Sequence, residues 1–187
     1  NKCSKENKEF WEIIIFDDMK ERNVSFDESF SKMESMLDAM KNADDSYDGS
    51  LKSASGLSGG DGAKLEAFRK QPNRLVGDFM TEVMEKAVKM GESNACMKRI
   101  VAAPTAGSCG IIPAVLLTYW KQYKIPKEKI VQSLFVAGGI GEVIEKTASI
   151  SGAQGGCQAE IGSSSAMAAG AVTFLEGGTN EDILNSA

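Results

Sequence analysis

Helical spacing of apolar positions dominates the first third of the chain. Residues 5–22 place Phe10, Ile13 and Ile14 along one side, with Asp17/Asp18 marking the other, and this spacing predicts a helix. Ser25 or Asp27 offers a cap for a second helix running to about Asn42, in which Phe30, Met33, Met36/Leu37 and Met40 recur at helical intervals. That methionine stripe reads as a packed helix face rather than a ligand surface. Residues 44–62, "DDSYDGSLKSASGLSGGDG", hold too much Ser, Gly and Asp for regular structure and read as loop. Residues 75–90 return to helical spacing, with Val76, Phe79/Met80, Val83/Met84 and Ala87/Val88 on the apolar side.

From Arg99 the pattern changes. "RIVAAP" is a short extended approach ended by Pro104, and "TAGSCG" is a turn. Residues 111–123 form a helix with Pro113 in its first turn, where a missing N–H costs least. Pro126 opens another helix, apolar from 130 to 144, with Gly138, Gly139 and Gly141 inside it. A glycine there costs about 1 kcal/mol relative to alanine, so three of them predict close helix–helix contact. After a loop at Ser149, residues 163–175 make a small-residue helix ending at Gly177/Gly178. Thr179 or Asn180 is then a good N-cap and Glu181/Asp182 suit a helix start, yet the sequence stops at Ala187, which reads as a fragment lacking its continuation. The expected class is mainly α: a compact helical catalytic domain with Ser/Gly-rich active-site loops and little strand. Residues 1–46 would be N-terminal helices and 47–187 the motif-bearing core.

Composition narrows the functions. An apolar fraction of 42% over 187 residues is ample for a core and excludes general disorder. A net charge of −5 and an isoelectric point near 4.9 leave no basic face for nucleic acid. The longest apolar runs, 11–16 and 110–117, are too short to cross a bilayer, so no membrane role is expected. Cys3, Cys96, Cys109 and Cys157 are widely spaced, form no CxxC pair, and suit a reducing cytoplasm. Histidine is absent, which removes the usual general base and a common metal ligand.

Three segments carry candidate chemistry: "SASGLSGGDG", "APTAGSCG" and "SISGAQGGCQAE". Exposed N–H groups at helix starts, backed by hydroxyls, make pockets for a carboxylate or phosphate. Each segment alone reads first as a structural turn. None is a P-loop, because no Gly-Lys-Ser/Thr follows, and none fits a dinucleotide fingerprint. Lys146 is the lysine nearest these loops, and a solvated helix-end lysine accounts for it better than a pyridoxal Schiff base. The stretch around Cys157 is the strangest, since from Ser149 to Ala171 nearly every residue is small. Small residues let one backbone approach another, or approach something that is not protein.

"RIVAAPTAGSCGIIPAVL", followed after one helical hairpin by "ASISGAQGGCQAEIGSSSAMAAGA", resembles the catalytic alpha chain of bacterial iron–sulfur-dependent L-serine dehydratases. "SGLSGGDGAKL" and "MGESNACMKRIVAAP" are similar to the same family, so the likeness runs from about Ser53 to Gly178. The helices before Tyr47 carry no signature.

The resemblance implies that Cys157, the cysteine of the family's "GCQ(A/G)E" motif, ligates a [4Fe–4S] cluster whose other two ligands lie in a later segment absent from this sequence. Three thiolates would leave one iron open as a Lewis acid for the serine hydroxyl. Cys109 matches no ligand position and reads as a small apolar filler. The implied reaction converts L-serine to pyruvate and ammonia, with Thr105, Ser108, Ser149, Ser151 and Gly152 holding the substrate carboxylate and ammonium. The implied partner is a beta chain that supplies the missing histidine as base; self-association into a homo-oligomer is left open. The competing expectations are a non-catalytic helical module binding a small carboxylate or amino acid, and a purely structural helical subunit.

Overall fold

The computed structural model describes residues 2–72 and 74–187. Among them are ten α-helices, one 3-10 turn and no strand. In chain order the helices are α1 (Lys2–Glu6), α2 (Phe10–Arg22), α3 (Phe26–Asp45), α4 (Asp61–Arg69), α5 (Asp78–Ala95), α6 (Ile111–Tyr123), α7 (Lys127–Thr147), α8 (Gly152–Gly155), α9 (Cys157–Leu175) and α10 (Asn180–Ser186). The 3-10 turn, Ala106–Ser108, lies between α5 and α6. The mainly α expectation holds. By contacts the chain forms two units, one from the residues up to Leu37 with Ile125–Ala187, the other from Asp38–Lys124.

In the first unit, the single helix expected over 5–22 is two helices. Asn7 takes a left-handed conformation (φ 50) that ends α1, and Glu9 reopens the helix by giving its N–H to Glu12 Oε2 at 2.8 Å. Ser25, not Asp27, caps α3, accepting the Glu28 N–H at 3.3 Å and giving its own N–H to Glu28 Oε2 at 2.8 Å. α7 is the axis of this unit, with an unbroken buried run from Ile130 to Ala137. Two of its three glycines explain themselves by contact. A Cβ on Gly139 would sit 2.5 Å from Ile14 of α2, and one on Gly141 would sit 2.9 Å from Met167 of α9, whereas Gly138 faces open space. Thr179 caps α10, accepting the Asp182 N–H at 3.2 Å. The neighbouring Asn180 works elsewhere: its Oδ1 accepts the Phe10 N–H at 2.9 Å and its Nδ2 donates to Lys8 O at 3.0 Å, tying α10 to the start of α2.

In the second unit α5 packs against both α4 and α6. Its buried side is not the one expected. Met80 and Met84 are half-exposed, while Thr81, Glu85, Met90, Glu92 and Ser93 are buried. A buried acid is tolerable only when paired. Glu85 accepts from Arg69 Nε at 2.5 Å and from Lys89 Nζ at 2.6 Å, and Lys89 also reaches Glu66 at 2.8 Å. α4 itself, unanticipated in the sequence, supplies Glu66 and Arg69 to this network.

The network sets an acid limit on this unit. Hydrogen bonds from Lys89 and Lys70 hold the Glu66 carboxyl at about 2, below its ordinary 4.5. Burial pushes Glu85 up, but its bonds to Lys89 and Arg69 outweigh that and leave it lowered. A depressed carboxyl contributes stability that is present above its unfolded pKa and disappears as pH falls through the folded value. Thermal unfolding followed by circular dichroism should therefore show a falling midpoint from about pH 5 towards about pH 2, with little change between about pH 5 and pH 7. A midpoint independent of acid would mean these pairs add nothing to stability.

Candidate functional site

The Ser149–Gly152 loop, α8 and the first turns of α9 form one continuous structure within the first unit. Ser151 is the N-cap of α8, its Oγ accepting the Ala153 N–H at 3.2 Å. Ser149 Oγ accepts the Ser151 N–H at 3.1 Å and donates to Gln154 Oε1 at 3.0 Å, so the two hydroxyls are fixed relative to each other. Gly156 then turns the chain with φ 74 and ψ 175, a conformation closed to residues with a Cβ. Cys157 follows as the first residue of α9, with its thiol exposed. α9 thus begins six residues before the expected Ser163, and the cysteine sits on a helix rather than in a loop.

The small residues are there for close packing of this turn on α9. A Cβ on Gly155 would lie 2.6 Å from Ala159 Cβ. One on Gly152 would lie 2.9 Å from both Cδ and Oε2 of Glu160 and 3.2 Å from its Oε1. Glu160 and Gln154 are therefore part of the site although sequence reasoning assigned them no binding role. The available signal was the helical spacing between Cys157 and Glu160, hidden because α9 was expected to start later.

Thr105 and Ser108 belong to the second unit. Thr105 is half-buried and its Oγ1 lies 3.2 Å from Ser108 Oγ. Ser108 is buried, and its hydroxyl lies within 3.3 Å of Ala103 O and 3.4 Å of Thr105 O. Ser108 thus closes the turn, and Thr105 presents the more accessible hydroxyl.

The "SGLSGGDG" segment, one of the three anion-pocket candidates, already holds an anion of its own. Glu92 of α5 accepts the N–H of Asp61 at 2.7 Å and of Gly62 at 3.1 Å, filling the start of α4. Tyr47 gives its hydroxyl to the same carboxylate at 2.5 Å, and burial together with that carboxylate pushes the phenol up to about 12. This is a structural clamp, not an open pocket. Replacing Glu92 by Ala removes the acceptor of two helix-start N–H groups and of the half-buried Tyr47 hydroxyl. It should cost about 3 kcal/mol in urea unfolding, as losses of buried charged hydrogen bonds do; a cost under about 0.5 kcal/mol would mean the clamp is idle.

Among the described residues, no three Cys, Asp or Glu side chains gather closely enough to hold a metal ion. Cys157 offers one exposed thiol, enough for a single donor to a metal or cluster and no more. Cys109 is buried at 1% exposure beside Ala43 and Met90, and burial pushes its thiol up, which suits packing. Lys146 is exposed and paired with Glu142, whose carboxylate raises its pKa.

Against known proteins, the chain matches the family model described as "Serine dehydratase alpha chain" over residues 5–187. It is 38% identical over 170 residues to the probable L-serine dehydratase alpha chain of Bacillus subtilis, covering 91% of this chain and 57% of that protein. It is 35% identical over 190 residues to the L-serine dehydratase alpha chain of Peptoniphilus asaccharolyticus, covering 99% of this chain and 64% of that one. An L-serine dehydratase of Streptomyces coelicolor is 45% identical over 119 residues, covering 61% of this chain and 26% of that protein. The chain belongs to the serine dehydratase alpha-chain family. It spans roughly three fifths of the Bacillus subtilis and Peptoniphilus asaccharolyticus alpha chains, and the family match reaches back to residue 5, into helices where no motif was readable.

Proposed function

We propose that this chain is the substrate-binding part of a cytoplasmic L-serine ammonia-lyase. L-Serine loses its α-proton and β-hydroxyl as water, and the resulting aminoacrylate rearranges to an imine that hydrolyses to pyruvate and ammonia. The observation that carries the reading is the exposed Cys157 thiol on the first turn of α9, packed against a turn whose hydroxyls and N–H groups are held in order. Ser149, Ser151 and Gly152 on that turn hold the amino acid by its carboxylate and ammonium, whereas Ser108, expected in the same role, is buried and engaged with Ala103 O and Thr105 O.

Cys157 is one ligand of a [4Fe–4S] cluster completed by thiolates from outside the described residues. When bound, such a cluster offers an iron that lacks a thiolate and acts as a Lewis acid on the hydroxyl that leaves. The chain's own residues have the remaining tasks of orienting the Cα–H and Cβ–O bonds and keeping bulky side chains away from the thiol. Free cysteines throughout the described chain support a reducing compartment. The test is anaerobic iron–sulfide reconstitution of the full-length alpha chain, followed by addition of its beta chain and L-serine. Cluster absorbance with pyruvate formation supports the enzyme; tight carboxylate binding without iron and without turnover supports the binding module instead.

A further inference from the structure

Every buried or half-buried carboxylate among the described residues has a partner, with one exception. Glu12 accepts a backbone N–H, Asp18 pairs with Arg22, Glu34 with Lys127 and Asp44 with Lys86. Glu66 pairs with Lys89, Glu82 with Lys121 and Glu85 with Arg69, while Glu92 holds the start of α4. Glu160 alone is half-buried with its carboxylate engaged in neither a hydrogen bond nor an ion pair. It caps no N–H of α9, although it stands in that helix's first turn. Instead both carboxylate oxygens occupy the space that a Cβ on Gly152 would take, 2.9 and 3.2 Å from that position, next in the chain to the N-cap Ser151. A carboxylate left without a partner in this way gains a charge-assisted hydrogen bond when a cation completes it.

We propose that Glu160 is the group that binds the substrate's α-ammonium and makes this site select amino acids over the matching hydroxy acids. The inference rests on the L-serine reading above and adds to it the group that reads the amine. Gly152 is the other half of the device. With no Cβ it leaves the carboxylate its place, and a methyl group there would displace only the flexible end of Glu160 rather than backbone.

The test uses the full-length alpha chain with its cluster rebuilt and its beta chain present, and compares KM for L-serine with the inhibition constant of glycerate. Glycerate keeps the carboxylate and β-hydroxyl and has a hydroxyl where serine carries its amine. Glu160→Gln should raise KM for L-serine about ten- to a hundredfold, the size of a charged hydrogen bond, while glycerate binding holds or tightens. Gly152→Ala should move the same ratio in the same direction with the helical circular dichroism unchanged. An unchanged ratio in either variant overturns the proposal, as does a fall confined to kcat in Glu160→Gln, which would make Glu160 the base. If the unaltered complex forms no pyruvate from L-serine, the enzyme reading itself fails, and that outcome is distinct from a wild-type enzyme whose Glu160→Gln variant keeps its selectivity.

Discussion

Adding a histidine-bearing beta chain to the reconstituted full-length alpha chain should raise pyruvate formation from L-serine by about 10²–10⁴-fold, the usual contribution of a positioned base. An α-proton must go to a group whose pKa lies near the working pH. This sequence has no histidine to supply it. Lys146 is the wrong candidate on structural grounds, because Glu142 pairs with its ammonium and raises its pKa, keeping the proton on. Glu160 is a carboxylate placed to receive a cation, and an ammonium bound there would hold it in that role. The anaerobic assay, run with and without the beta chain, decides the matter. Full turnover by the full-length alpha chain alone would put the base on that chain and remove the borrowed-base idea, leaving the Glu160→Gln split between KM and kcat to decide Glu160's role.

Replacing Cys157 by Ser should lower activity of the assembled enzyme by more than about 10²-fold, since loss of an outer-shell partner alone costs about 10–100-fold. Cluster absorbance after reconstitution should fall with it. Because the thiol is exposed, the fold should hardly notice, with stability changed by less than about 0.5 kcal/mol. Cys109→Ser is the matched control with the opposite signature. It puts a hydroxyl into a buried apolar contact with Ala43 and Met90, so it should cost about 1–3 kcal/mol of stability and leave the cluster signal intact. Equal loss of cluster in both variants would return Cys109 to the ligand set and undo the distinction drawn between the two thiols.

What could be read in advance divides along a physical line. α6 and α7 were legible because their signals are local: Pro113 in a first turn, Pro126 just before a start, and long apolar runs after each. α4 was not legible. It is nine residues long, follows a Ser/Gly-rich run, and has its start held by Glu92, whose bonds to Asp61 and Gly62 span 31 and 30 positions of sequence. No window along the chain contains that cap. The apolar side of α5 differs from the expected one for a related reason, since buried Glu85 is paired not only by Lys89 one turn on in α5 but by Arg69 reaching across from α4. At the site, Cys157 and the serines were visible as a motif. The helical register that sets Glu160 against Gly152 was not, because residues 157–162 contain little bulky apolar surface to declare a helix.

The division of the chain also has a consequence in time. Asp38–Lys124 is one uninterrupted stretch, whereas the other unit is assembled from the two ends of the sequence. On a ribosome the middle stretch emerges whole and can close its Glu85 and Glu92 networks while the rest is still being translated. α2 meanwhile waits with Ile13 and Ile15 uncovered until α7 arrives more than a hundred residues later. The N-terminal helices are thus the segment that waits longest for cover, and the Cys157 turn, later still, forms only after α7 has been made.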